Sequence, residues 1–335
     1  MRQLISLAAL SAATALPASA QDYNLFVSNE YGASVGVIDA EGREVTTLPI
    51  SGRPGEVRPR GIAISPDGRT AYIAVSDFNP ASERPEDSIV AVDVATGSEL
   101  RRIRAGGNPE RLAISPDGRV IWASLEAIAQ AAAYDAETGA ELGRFPTGVE
   151  PEGVAASPDG AWAYITGETS HSVTIIDARE MKLVTHLLVG NRPRDVIFSP
   201  DSARAYVSAE IGGTISVIDT GDRAVVQTID LGLDSRPVEM VLSPPGDRLY
   251  VAGGGTSTVY VIDTASGEII AEIAEQMGRR PWGITASPDG SRTFTANGMS
   301  DSITVIDADC LCVTGQIPAG RGAHSVEMGV VDVQG

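Results

Sequence analysis

The sequence predicts an all-β fold, a seven-bladed β-propeller of four-stranded antiparallel blades, and three observations carry that prediction. The first is a unit read most plainly from Pro151 to Gly190, PEGVAASPDGAWAYITGETSHSVTIIDAREMKLVTHLLVG. Its apolar runs VAAS, AYIT, VTIID and LVTHLLV are separated by the polar turns SPDG, GETSHS and DAREMK. Short runs of β-branched and aromatic residues bounded by Gly, Pro, Asp and Ser are strands, and four such strands in about 40 residues make one blade. The second observation is spacing: the turn prolines Pro66, Pro116, Pro158, Pro200, Pro244 and Pro288 lie 50, 42, 42, 44 and 44 residues apart. The third is a mismatch. Those six prolines stand against seven aspartates that end a third strand: Asp39, Asp93, Asp135, Asp177, Asp219, Asp263 and Asp307.

A closed ring resolves the mismatch. The chain enters at Tyr23 inside a blade, with LFVSNE already a second strand, and the tail GAHSVEMGVVDV from Gly322 matches a first strand without its turn. Blade one is therefore expected from about 23–50 plus 322–333, and its closure removes the free edges of an open array. Within each unit the turn chemistry is explicit. In Ser157-Pro158-Asp159-Gly160 the proline presets φ, and the glycine takes the positive φ that ends the turn.

Residues 1–20 stand apart from the repeats. Arg2, the apolar run Leu4 to Leu16 and the small residues Ala18-Ser19-Ala20 have the pattern of a secretory signal peptide. The run is too short to span a bilayer, and no stretch of 18 apolar residues follows, so no membrane span is expected. The expectation is a mature chain from about Gln21, periplasmic or secreted, as one propeller domain over 21–335. The formal charge of −19 would become −20 on losing Arg2. That balance argues against nucleic acid, which calls for a basic surface, and suits solubility and attraction to basic partners. A monomer is expected.

The individual units vary in informative ways. Blade two carries one large insertion, SDFNPASERPEDS between Ser76 and Ser88, a surface loop whose acids do not follow the calcium-loop spacing. Blade three replaces the usual β-branched strand with alanines in LEAIAQAAAYDAETG. Blade six has Gly253-Gly254-Gly255, which lies between two strands rather than before a helix and so reads as a turn, not a phosphate cradle. Blade seven holds the two cysteines, Cys310 and Cys312, at its turn between third and fourth strands. They are open to three readings: a tight disulfide, structural thiols or a redox-active pair. No CxxCH is present to attach haem covalently.

The repeating SPDG, then AYIT or FVSNE, then TIIDA or SVIDT, resembles the YVTN β-propeller repeat over the whole mature chain. The phrases GVEPEGVAASPDG, AEIGGTISVIDT and TANGMSDSITVID resemble a seven-repeat subfamily found alongside PQQ-dependent alcohol catabolism. The resemblance implies a periplasmic accessory propeller without established enzymatic chemistry. Gly322-Ala323-His324, where other blades have a proline, and the cysteine pair depart from it.

A propeller gathers function on the face where blade-joining loops and the loops between second and third strands surround the channel. Comparing equivalent positions shows where the repeat symmetry breaks. The residue after the blade-entry proline is Arg60, Glu110, Glu152, Arg194, Val238 and Trp282, with His324 in the closing segment. The residue four beyond the second-strand aromatic is Glu30, Ser76, Glu126, Glu168, Glu210, Gly254 and Gly298. The aromatic column itself reads as packing. Blades three to five thus form an acidic arc of Glu110, Glu126, Glu152, Glu168 and Glu210, with Arg60 and Arg194 at its margins. Blades six, seven and one form an open half with Trp282 and His324.

The plain reading of the arc is glutamates that cap backbone N–H groups or pair with arginines; the alternatives are a basic-partner site or a divalent cation on Glu126, Glu168 and Glu210. Trp282 is expected to pack at a blade junction. His324 either bonds a loop carbonyl or serves as a haem or metal ligand. His171 belongs to the same face, and His186 to an outermost strand. No Ser-His-Asp order, Walker loop or HExxH is visible, and the sequence requires no cofactor. The expected function is a non-enzymatic exported propeller that binds a small molecule or a basic periplasmic protein, such as a cytochrome c or a quinoprotein system. The alternative is a propeller enzyme, a lactonase-like metal-dependent hydrolase or a haem/quinone oxidoreductase.

Overall fold

A computed structural model describes residues 23–39, 41–50, 57–78 and 87–330. The proposed signal segment, most of the blade-two insertion and the tail beyond 330 lie outside the described residues. Twenty-eight strands form seven four-stranded antiparallel sheets. Blade four runs Pro151–Ala156, Trp162–Gly167, Ser172–Asp177 and Lys182–Leu188, which matches the four apolar runs of the repeat unit. In blade one the strand Ala323–Val330 pairs antiparallel with Tyr23–Asn29, so the ring is closed by the C-terminal segment. That strand is the innermost of its blade and packs between the inner strands of blades seven and two.

The turns form for the reasons the sequence offers. In blade four Gly160 N donates to Ser157 O (2.8 Å), the Ser157 hydroxyl donates to Asp159 (2.6 Å), and Trp162 N donates back to the Ser157 hydroxyl (2.8 Å). The same ring of bonds recurs at Ser65, Ser115, Ser199 and Ser287. The aspartate that ends each third strand accepts backbone N–H groups from the turn that follows, as Asp177 does from Arg179 and Glu180.

Packing is between blades. Phe26, Tyr72, Trp122, Tyr164, Tyr206, Tyr250 and Phe294 are all buried, as the aromatic column predicts. Trp122 of blade three, for example, joins Val154, Ile165 and Ile176 of blade four in one apolar cluster. The alanines of blade three, Ala131, Ala132 and Ala133, are fully buried and let that blade sit close to its neighbours. Cys310 and Cys312 form a disulfide. No helix among the described residues is long and apolar enough to cross a membrane.

Candidate functional site

The inner strands bring the two symmetry-breaking columns to one mouth of the channel. Five of the inner strands among the described residues begin at their entry proline, as in Pro109–Ile114 and Pro193–Phe198, and have a register shift just after it. That bulge turns the side chain after the proline toward the mouth. The next position sits against the neighbouring inner strand: a Cβ on Gly153 would lie 2.6 Å from Arg194 O and 2.7 Å from Asp195 Cα. Glycine there is what allows blades four and five to approach.

At the mouth the expected acidic arc is a mixed ring. Arg60 pairs with Glu30 (2.9 Å) and with Glu110, and lies 3.7 Å from Glu152. Arg194 pairs with Glu152 (2.6 Å) and Glu168, and lies 3.8 Å from Glu210. Both arginines are buried at the centre of the carboxylates rather than at their margins, which corrects that expectation. Their burial is possible because each charge faces several opposite ones. Further guanidiniums complete the ring. Arg58 reaches Glu30 (3.2 Å) and Glu126 (3.6 Å), Arg192 reaches Glu168 (2.9 Å) and Glu210 (3.1 Å), and Arg280 reaches Glu210 (3.5 Å).

Six carboxylates therefore face five guanidiniums, and one proton would make the set neutral. Burial and the neighbouring Glu152 charge push the Glu168 carboxyl up, against Arg194 and Arg192. Glu152 is also buried, but Arg194, Arg60 and Arg111 hold it down as the carboxylate. Burial and the mutual repulsion of Glu152 and Glu168 direct that proton to this pair. Arg192 takes oxygens of Glu168 and Glu210, Arg58 stands 3.6 Å from Glu126, and among the described residues no three His, Cys, Asp or Glu side chains group to hold a metal.

The other half of the mouth is not open either. Trp282 lies half-buried with the His324 ring stacked on it at 5.5 Å, and the guanidiniums of Arg280 and Arg194 stand over the indole at 4.3 and 5.3 Å. Gly298 permits this, since a Cβ there would lie 2.7 Å from Trp282 Cδ1. His324 is buried, and its Nδ1 has no hydrogen-bond partner. Burial, with Arg60, Arg111, Arg194 and Arg58 around it, keeps its pKa well below the ordinary histidine value, so the ring is neutral. It bonds no loop carbonyl through Nδ1, and Trp282 covers its face. His171 accepts from Arg192 N (3.0 Å) on the same rim, whereas His186 is out on the edge strand beside Thr174.

A model of the YNCE-like β-propeller matches residues 73–332, more than three-quarters of the chain. The chain belongs to the YNCE-like β-propeller family. No curated protein matches it in sequence. Its fold is shared with hydrazine synthase of Kuenenia stuttgartiensis, at 20% identity and TM-score 0.69 over 80% of this chain and 88% of that one. A functionally unknown protein of Desulfotomaculum acetoxidans is similar at 15% identity and TM-score 0.78, over 92% and 99% of the two chains. A candidate 6-phosphogluconolactonase of Bacteroides fragilis is similar at 18% identity and TM-score 0.74, over 94% and 100%. At these identities the likeness is one of fold.

Two features of this YNCE-like propeller escaped the column comparison. The first is the residue before each entry proline: Arg58, Asn108, Glu150, Arg192, Arg236 and Arg280, with Gly322 in the closing segment. Asn108, Glu150, Arg192, Arg236 and Arg280 all have left-handed φ between 46° and 59°. That conformation is disfavoured for any side chain and more so before proline. It is held by a backbone bond from the second-to-third-strand turn, as Glu210 N to Arg192 O (2.8 Å) and Gly298 N to Arg280 O (3.1 Å). The strain aims Arg192 and Arg280 over the mouth, and reading this third column would have found them.

The second is deeper in the channel of the YNCE-like propeller. Arg111 pairs with Glu239 and donates to the Ser325 hydroxyl (3.1 Å), which donates to Glu239 (3.2 Å). Beyond them a cavity of about 280 Å³ is lined by Arg111, Asp195, Glu239 and Glu327. Burial pushes the Asp195 carboxyl up to about 6 and Glu327 up to about 7.

Proposed function

We propose that this chain is an exported binding propeller whose mouth face docks a basic periplasmic protein, a cytochrome c or a quinoprotein component, in the service of PQQ-dependent alcohol oxidation. The observation that carries the docking is where the exposed apolar side chains fall. Tyr31, Val149, Leu188, Ile211, Leu233 and Met299 all stand exposed on loops or strand ends of the mouth face. The other large exposed hydrophobics, Val45, Leu100, Leu142 and Ile270 among them, are spread over the outermost strands of separate blades, and none among the described residues lies in the turns of the opposite face. Clustered exposed apolar side chains mark binding surfaces. The charge of −19 supplies steering toward a basic partner.

The test compares faces. Glu110 and Glu152 are unsuitable probes, because each is buried against an arginine and its removal takes a counter-charge from that buried cation. Ile211→Asp with Leu233→Asp alters the rim, and Val45→Asp with Val226→Asp adds the same charge on outer strands. Loss of about tenfold or more in affinity for a basic cytochrome c, roughly 1.4 kcal/mol, is expected from the rim pair alone. Equal effects from both pairs would refute docking through this face.

A second reading rests on the carboxyl pair Glu152 and Glu168, whose pKa values are driven in opposite directions, an arrangement suited to acid–base chemistry. Lactone hydrolysis by the purified protein, lost in Glu168→Gln with folding intact, would favour this reading over docking.

A further inference from the structure

The Cys310–Cys312 disulfide sits in a turn that the fold builds equally well without it. In blade seven Asp307 accepts from Asp309 N (2.9 Å) and Cys310 N (2.9 Å), Leu311 is left-handed at φ 50°, and Cys312 opens the outer strand opposite Asp307. In blade four Asp177 accepts from Arg179 N (3.0 Å) and Glu180 N (2.8 Å), Met181 has φ 50°, and Lys182 pairs with Asp177. In blade five Asp219 accepts from Asp222 N (2.9 Å), Arg223 has φ 52°, and Ala224 pairs with Asp219. Glu180 and Lys182, or Asp222 and Ala224, thus fill the positions of the two cysteines in turns of the same length and geometry.

Nor does the cross-link restrain the chain at long range. Its cysteines are separated by two positions, so the loop it closes removes little freedom from the unfolded chain compared with a long one. Both cysteines are exposed, at the outer edge of the turn face and remote from the channel mouth. They are the two cysteines of the chain, so no other thiol of the same molecule can displace them. Exposed disulfides of this kind are the labile ones, open to attack by a thiolate.

We propose that Cys310–Cys312 is a thiol–disulfide exchange site for a protein or peptide dithiol flanked by basic residues. The incoming thiolate attacks one sulfur, forms a mixed disulfide and releases the other sulfur, which takes up a proton. The partner's second thiol then attacks the mixed disulfide. The partner leaves oxidised, and Cys310 and Cys312 are left as two thiols. Two electrons pass from partner to pair, and the two protons of the partner's thiols end on the two cysteines. Basic flanks follow from the setting, because Asp307 and Asp309 sit in the same turn and repel an acidic approach. Lysine beside the attacking cysteine complements that charge and raises its thiolate fraction.

The test uses the oxidised full chain and two reduced dithiol peptides, one with lysines and one with glutamates beside the cysteines. One peptide disulfide per protein molecule is expected, formed several-fold faster with the lysine peptide, with two alkylatable thiols appearing on the protein. The double variant Cys310→Ser, Cys312→Ser should fold with a melting temperature within about 2 °C of the oxidised parent and oxidise neither peptide. A disulfide that survives about 10 mM reduced glutathione would overturn the proposal. So would a double variant that melts far lower, since the bond would then be a structural staple.

Discussion

Arg194 is a buried cation that holds carboxylates from blades four and five together at the channel mouth: Glu152, Glu168 and, at 3.8 Å, Glu210. Removing the guanidinium leaves those charges in a poorly solvated position, and breaking a buried ion pair from one side costs roughly 3–5 kcal/mol. Arg194→Met is therefore expected to lower stability by about that much, read as a shift in the urea midpoint with an unchanged slope. A loss below about 1 kcal/mol would mean that water reaches the ring and screens it. How far this site was legible can be judged from the same residue. Arg194 and Glu152 hold the same repeat position in successive blades, so comparing repeats brought both forward. Arg192 and Arg280 lie two residues before that column, where the usual preference of a pre-proline residue for extended backbone hides their left-handed turn toward the mouth. That Arg60 meets Glu30 and Glu152 depends on the radius of the ring and the lean of each inner strand, which no local pattern states.

At the scale of the element, turns and inner strands respond to pH in opposite directions. Hydrogen bonds from Ser65, Ser115, Ser199 and Ser287 hold the turn carboxyls of Asp67, Asp117, Asp201 and Asp289 below their ordinary range. Groups lowered on folding stabilise above the unfolded pKa of about 3.9 and lose that contribution as pH falls through their folded values. In the inner strands, burial raises Asp195 to about 6 and Glu327 to about 7, and at the mouth Glu168, in the turn after a second strand, is raised as well. Groups raised on folding favour the fold at low pH, and their contribution is lost as pH climbs from about 4 through those values. His324, kept neutral by burial and the surrounding arginines, opposes them below about 6.5, one proton against three. The melting temperature should therefore rise from pH 8 to about 5 and collapse below about 4. Glu327→Gln mimics the protonated side chain, so it should melt higher than the parent at pH 8 and like it at pH 5. Parallel profiles for the two proteins would show that Glu327 is solvated. The turn chemistry was fully readable in Ser-Pro-Asp-Gly. The carboxyls in the channel were not, because Asp195 and Glu327 resemble surface residues of any strand until the ring closes around them.

For the whole molecule, the decisive contact is between Ala323–Val330 and Tyr23–Asn29. Deleting the chain from Gly322 takes away the inner strand of blade one, the neighbour of blades seven and two, and exposes a full strand edge. Such a truncation is expected to abolish the cooperative thermal transition, far beyond the ~1 kcal/mol of an ordinary substitution. A truncated protein that melts as the parent does would disprove closure by this strand. Closure was foreseeable from six turn prolines against seven aspartates, because counting two columns of one repeat detects a unit divided between the ends of a chain.

That divided blade also sets a clock. A ribosome delivers Tyr23–Asn29 first among the described strands and Ala323–Val330 last, with six whole blades between them. Blades two to seven can each pair their strands as they emerge, but blade one keeps an unpaired edge until Ala323–Val330 has followed. Of the ion pairs at the mouth, those of Arg58 and Arg60 with Glu30 join blade two to blade one, whereas Arg194 with Glu152 and Glu168 lies within blades four and five. The mouth can thus assemble blade by blade, and its Glu30 contacts join one blade whose strands come from both ends of the described fold.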